Sequence, residues 1–134
     1  NKAIGKDDGE LKLYINSGVC TDCHSTLKIK GRKFTTVKSQ SINDVIKKYK
    51  PTKLKVDCEG EELNFMMDAN LENVKNIAME VHFGYSYRDK HIKYHNLLDN
   101  VKKYFYDIKA PKVNDKFSRM LFAKNSKSEY KIFS

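Results

Sequence analysis

The sequence predicts an α/β layer protein with a mainly parallel sheet, and three observations carry that expectation. From residue 35 onward, strand-like and helix-like segments alternate, as they do where helices cross over a sheet. The helical segments each present one apolar face that a sheet would cover. The 134 residues and 15.6 kDa suffice for one hydrophobic core and fall short of two, so 1–134 is expected to be a single domain without repeat or linker.

Taken in order, NKAIGKDDGELKLYIN reads as two short strands around a turn. Ala3 and Ile4 are apolar, KDDG is turn chemistry, and Leu11, Leu13 and Ile15 alternate with polar residues, which predicts a hairpin. After the SGVCTDCHS loop, Leu27 and Ile29 alternate again, KGRK turns, and Phe34 to Val37 favour a further strand. SINDVIKKYKP is a well-marked helix. Ser41 is its N-cap, Asp44 follows three residues on, Ile42, Val45, Ile46 and Tyr49 share a face, and Pro51 stops it. KLKVDCEGEE is a short strand ending in acid, and LNFMMDANL a helix leaving it. NIAMEVHF is nearly continuous apolar residue, as in a strand covered on both faces, so Glu80 must sit near its end. RDKHIKYHNLLDNVKKYF puts Ile92, His95, Leu98, Val101 and Phe105 at helical spacing, and FSRMLFAKN reads as a late strand.

Composition excludes several classes. With 40% hydrophobic residues, 32% charged residues and two prolines, the chain is not disordered, and no apolar run approaches membrane-spanning length. Three cysteines, an odd count, argue against a disulfide framework, so a soluble protein in a reducing, cytoplasmic compartment is expected. The net charge of +9 would favour anionic partners such as nucleic acid, but the lysines are spread along the chain and read as a solvated surface.

Ligands of such sheets bind beyond the carboxyl ends of the strands, and two of those ends are polar. Asp57, Glu59, Gly60, Glu61 and Glu62 follow Val56, while Glu80 and His82 close the NIAMEVHF run. Acids at neighbouring strand ends could bind a cation, hydrogen-bond a cofactor or take a proton from a substrate hydroxyl. Glu61 and Glu62 read as the acidic first turn of a helix, stabilised by its dipole. Asp57 and Glu80 instead adjoin buried apolar runs, where an unpaired carboxylate is costly, so a functional role and a satisfied structural one both stand. His82 could orient or deprotonate a hydroxyl.

LKVDCEGEE resembles the KIDVEGAE signature of the FkbM family of S-adenosylmethionine-dependent methyltransferases, matching it at Lys55, Asp57, Glu59, Gly60 and Glu62. NKAIGKDDGELKLY, TTVKSQSINDVIKKY and IAMEVH resemble flanking parts of the family in the same order, over roughly residues 1 to 125. The resemblance implies a class I, Rossmann-like methyltransferase fold, three-layered, and methyl transfer to a hydroxyl of a small molecule, sugar or lipid. It implies S-adenosylmethionine as cofactor, with a divalent cation possible at Asp57 and a neighbouring acid. Asp57 would lie nearest the transferring methyl, and Asp57, Cys58, Glu59 and Gly60 would line the cofactor. Lys55, on the same strand face as Asp57, would pair with it or act beside it. Glu59 and Glu80 would flank the acceptor, and His82 would serve as base.

The resemblance also shows a departure, for no G-x-G turn occurs in these residues and the match starts at about the family's third strand. The first two strands belong in the middle of the sheet, so a gap, open sheet edges available for self-association and an uncovered apolar face are expected. Because the chain opens at Asn1, either an upstream part supplies them or the domain has become a non-catalytic basic module for nucleic acid or a partner protein; the first is the expectation. CTDCH, residues 20–24, has c-type haem spacing but lies in a polar loop, and Cys20, Cys23 and His24 have only Cys58 as a further thiol for zinc, so an ordinary loop is expected. His91 and His95, four apart on a helix, lack an H-E-x-x-H pattern and read as helix surface.

Overall fold

The computed structural model describes residues 2–15, 26, 28, 31–83, 87–112 and 119–125, with the backbone alone for 87–90. The first unit is a three-stranded sheet of β1 (Ala3–Gly5), β2 (Gly9–Tyr14) and β3 (Phe34–Ser41). β3 lies in the middle, parallel to β1 and antiparallel to β2. The expected hairpin is therefore corrected: β1 and β2 flank β3 rather than each other. Ser39 and Asp8 hold the turn between them, the Ser39 hydroxyl donating to the Asp7 carbonyl and Asp8 Oδ1 accepting from Ser41 N–H.

Helix α1 (Ile42–Tyr49) follows without a linker. The Ser41 hydroxyl caps its start by accepting the Asn43 N–H, and Lys50, in the left-handed conformation before Pro51, ends it. Ile42 and Ile46 are buried, one helical turn apart on the same face.

The second unit is a four-stranded sheet in the order β4-β5-β7-β6, built from β4 (Lys53–Val56), β5 (Asn76–Val81), β6 (Asp107–Lys109) and β7 (Arg119–Lys124). Between β4 and β5 run a single helical turn, α2 (Glu62–Phe65), and a 3₁₀ turn over Met66–Asp68; α3 (Tyr87–Tyr104) links β5 to β6. Ile77, Met79 and Val81 point to one face with Leu121, Ala123 and Val56, where Leu63, Phe65, Met66, Leu71, Leu97 and Val101 cover them. Asn100 is buried in this core and donates to the Met66 and Ala69 carbonyls, both at 2.9 Å, which ties α3 to the end of the 3₁₀ turn.

The sheets are mixed rather than mainly parallel. Two strand pairs, β1–β3 and β4–β5, are parallel and three are antiparallel. The cause is local: α3 is long enough to cross over the sheet, but only residues 110–118 separate β6 from β7, too few for a crossover, so β7 returns antiparallel between β5 and β6. No strand pair joins the two sheets among the described residues. Asn43 bridges the two units, its side chain donating to the Asp68 carbonyl and accepting from Asn70 N–H.

Among the described residues no element covers the far face of the second sheet, and β5, which the sequence predicts to be covered on both faces, has only every second residue fully buried. Lys53, Lys55, Ala78, Lys109, Phe122 and Lys124 line a groove of about 620 Å³ there, and Phe122 remains 48% exposed.

Candidate functional site

β4 and β5 run parallel, with Val56 opposite Met79. One residue further on, Asp57 comes alongside Glu80, and strand alternation turns both to the open face together with His82. The chain then turns sharply. Glu59 adopts φ 50° and Gly60 φ 106°, a left-handed pair that returns the chain into α2 and that a side chain at Gly60 would strain. This turn carries Glu59 back over the strand ends.

The result is a ring of carboxylates around one imidazole. His82 Nε2 lies 3.7 Å from Glu59 Oε2, 3.8 Å from Glu80 Oε1 and 4.0 Å from Asp57 Oδ1. Its other nitrogen, Nδ1, is 3.2 Å from Glu62 Oε1, and since a carboxylate only accepts, Nδ1 carries the proton of that bond. Nε2 is thereby the nitrogen turned to the acids.

Glu62 organises the site from beneath. Its carboxylate is fully buried, with Oε1 also accepting the His82 backbone N–H at 2.7 Å and Oε2 accepting the Gly60 N–H at 2.9 Å. One side chain thus fixes the tight turn after β4, the end of β5 and the tilt of the imidazole. Burial disfavours the charged imidazolium of His82, but the hydrogen bond to Glu62 and the charges of Glu62, Glu59 and Glu80 outweigh it and raise its pKa.

Glu61 belongs to a separate chain of contacts. It accepts from the Thr26 hydroxyl and from Asn64 Nδ2 at 3.0 Å, and Asn64 Oδ1 in turn accepts from Lys93 Nζ at 2.6 Å. Cys58 is packed against the core, and burial, reinforced by the carboxylates of Glu62, Asp57 and Glu61, pushes its thiol up to about 11.

Of the residues singled out in sequence, Asp57, Glu59, Glu80 and His82 meet at one place. Gly60 shapes the turn, Cys58 faces inward, and Lys55 lines the open groove with no ion pair to Asp57. Glu62 is the residue the sequence argument undervalued. It stands in the first turn of α2, as the sequence leads one to expect, but its carboxylate is buried as the partner of His82. The available signal was its place in the EGEE signature, two residues past a glycine.

Asp57, Glu80 and His82 also each offer a ligand atom within 4.8 Å of the other two, the one such group among the described residues. His91 and His95 have ring centroids 6.5 Å apart and belong to no such group. CTDCH lies outside the described residues. No helix among those described is long and apolar enough to cross a membrane.

Residues 2–121 match the methyltransferase FkbM domain. No curated protein and no solved structure matches the chain.

Proposed function

The chain belongs to the FkbM methyltransferase domain family, and from that premise we propose that it takes part in S-adenosylmethionine-dependent methylation of a hydroxyl oxygen on a small molecule, sugar or lipid. The observation that carries the reading is the convergence of Asp57, Glu59 and Glu80 on His82 at the ends of two adjacent parallel strands. S-adenosylmethionine, when bound, supplies an electrophilic methyl group on a sulfonium sulfur.

The fit to that donor is partial. Three carboxylates at the strand ends suit a cationic sulfonium, so the Asp57–Gly60 turn is the proposed wall against the donor's reactive end. The sequence contains no glycine-rich turn to hold its nucleoside end. The remaining work is done by this chain's own groups. An acceptor hydroxyl at the cluster must be held in line and must lose its proton, and a ring of carboxylates around an imidazole can both orient the O–H and receive that proton. The fixed turn and the buried Glu62 keep these groups in place without reorganisation.

The test is thermal unfolding with S-adenosylmethionine. A ligand that binds the native state stabilises it by about 2.7 kcal/mol at a hundredfold excess over Kd, a rise of several degrees in melting temperature. Such a rise, absent with adenosine alone, supports the reading. No rise, together with salt-dependent retention on nucleic acid, would favour a non-catalytic binding module whose lysine-lined groove makes the contact.

A further inference from the structure

We infer that Asp57, Glu80 and His82 form a divalent-cation site that holds the acceptor's oxygen, a role that rests on the reading above. Three features carry it. First, the donor atoms are already gathered. His82 Nε2 stands 3.8 Å from Glu80 Oε1 and 4.0 Å from Asp57 Oδ1, and all three ligand atoms lie within 4.8 Å of one another. A point common to them lies about 2.5 Å or less from each, so a small inward shift reaches metal–nitrogen and metal–oxygen bonds of about 2.0–2.6 Å.

Second, the imidazole is presented as a ligand. Its Nδ1 is hydrogen-bonded to a fully buried carboxylate, which fixes the ring's orientation and turns Nε2 to the acids, where a cation would bind by displacing the Nε2 proton. This carboxylate–histidine arrangement is the one that orients metal-bound imidazoles. A plain acidic surface patch has no such support.

Third, the site is open on one side. The Asp57 and Glu80 side chains are 40% and 35% exposed, so a cation held there keeps coordination positions for an incoming oxygen. An imidazole with two carboxylates suits Mn²⁺ or Zn²⁺ better than Mg²⁺. A bound cation would acidify a coordinated hydroxyl, whose proton passes to the neighbouring Glu59 carboxylate, and its second open position favours acceptors with two adjacent oxygens.

The experiment is titration of the metal-stripped chain with Mn²⁺, following the free-ion spin-resonance signal. One saturable site is expected, with affinity at least tenfold weaker in Asp57→Asn and Glu80→Gln and unchanged in Asp44→Asn, an exposed acid on α1. Glu62→Gln, which leaves the three ligands in place, should weaken it by about 10–100-fold. Melting curves of Asp57→Asn and Glu80→Gln, near-isosteric changes at part-exposed positions, check that they fold. Absence of a saturable site below about 1 mM, or binding indifferent to both substitutions, overturns the inference. Because no methyl donor is present, the result is separate from the donor test. Metal binding without a donor-induced melting shift would sink the proposed function and leave the site standing.

Discussion

Replacing Glu62 by glutamine keeps the shape of the side chain and changes what it can accept. In the native protein three donors converge on it: Gly60 N–H, His82 N–H and His82 Nδ1–H. A glutamine that keeps its oxygen toward His82 retains two of these bonds in neutral form, each weaker by about 1 kcal/mol than its charge-assisted counterpart. Its amide then faces the Gly60 N–H, donor to donor, and leaves that group unsatisfied at a cost of about 1–3 kcal/mol. Relief of burying a carboxylate offsets part of this, so the net destabilisation expected is about 2–4 kcal/mol. Urea unfolding followed by far-ultraviolet circular dichroism, with an unchanged m value, measures it. Glu72→Gln, at an exposed position, should stay within about 0.5 kcal/mol. A Glu62→Gln loss below about 1 kcal/mol would refute the argument that this carboxylate holds the turn and both strand ends together.

Three further outcomes follow from the same geometry. Asn100→Ala removes the donors of two buried carbonyls and is expected to cost about 2–4 kcal/mol; a melting temperature within a degree or two of the parent would contradict the bracket between α3 and the 3₁₀ turn. Ser41→Ala deletes the cap of α1 and should cost about 1 kcal/mol, with Ser41→Gly losing less, as measured by denaturant titration. With chelator present, the raised pKa of His82 means that its contribution to stability is complete below its ordinary value of 6.5 and is lost as pH climbs through the raised folded value. The stability difference between the parent and His82→Gln should therefore shrink as pH rises above 6.5, and a difference that grows with pH would reverse the sign of the argument.

Much of the fold was legible where local chemistry decides the outcome. Ser41 and Pro51 bracket α1, MLFA marks β7, and the helical spacing of Ile92, His95, Leu98, Val101 and Phe105 marks α3, though its buried face runs through Tyr94, Leu97, Val101 and Phe105 and leaves Ile92 and His95 exposed. Where partners far along the chain decide, the sequence was silent. β6 is three residues with one apolar side chain, and it is a strand only because β7 pairs with it. The hairpin expected from residues 1–16 fails because β3 offers both β1 and β2 an edge, which neither strand encodes. At the site, the acids at two strand ends were visible as a pattern. That Glu62 turns inward, while Glu59 turns toward His82, depends on the left-handed turn at Glu59 and Gly60, and a run of four acids and one glycine does not say which of them face the core.

The position of β7 bears on how the protein is made. It is the last strand among the described residues and yet lies inside its sheet, hydrogen-bonded to β5 on one side and β6 on the other. A ribosome delivers the chain from its N-terminus, so β5 waits with one edge bare, and β6 with no sheet partner, until residues 119–124 emerge. A nascent chain arrested before Arg119 would expose that edge and the apolar undersides of α2 and α3, and is the species a chaperone would recognise.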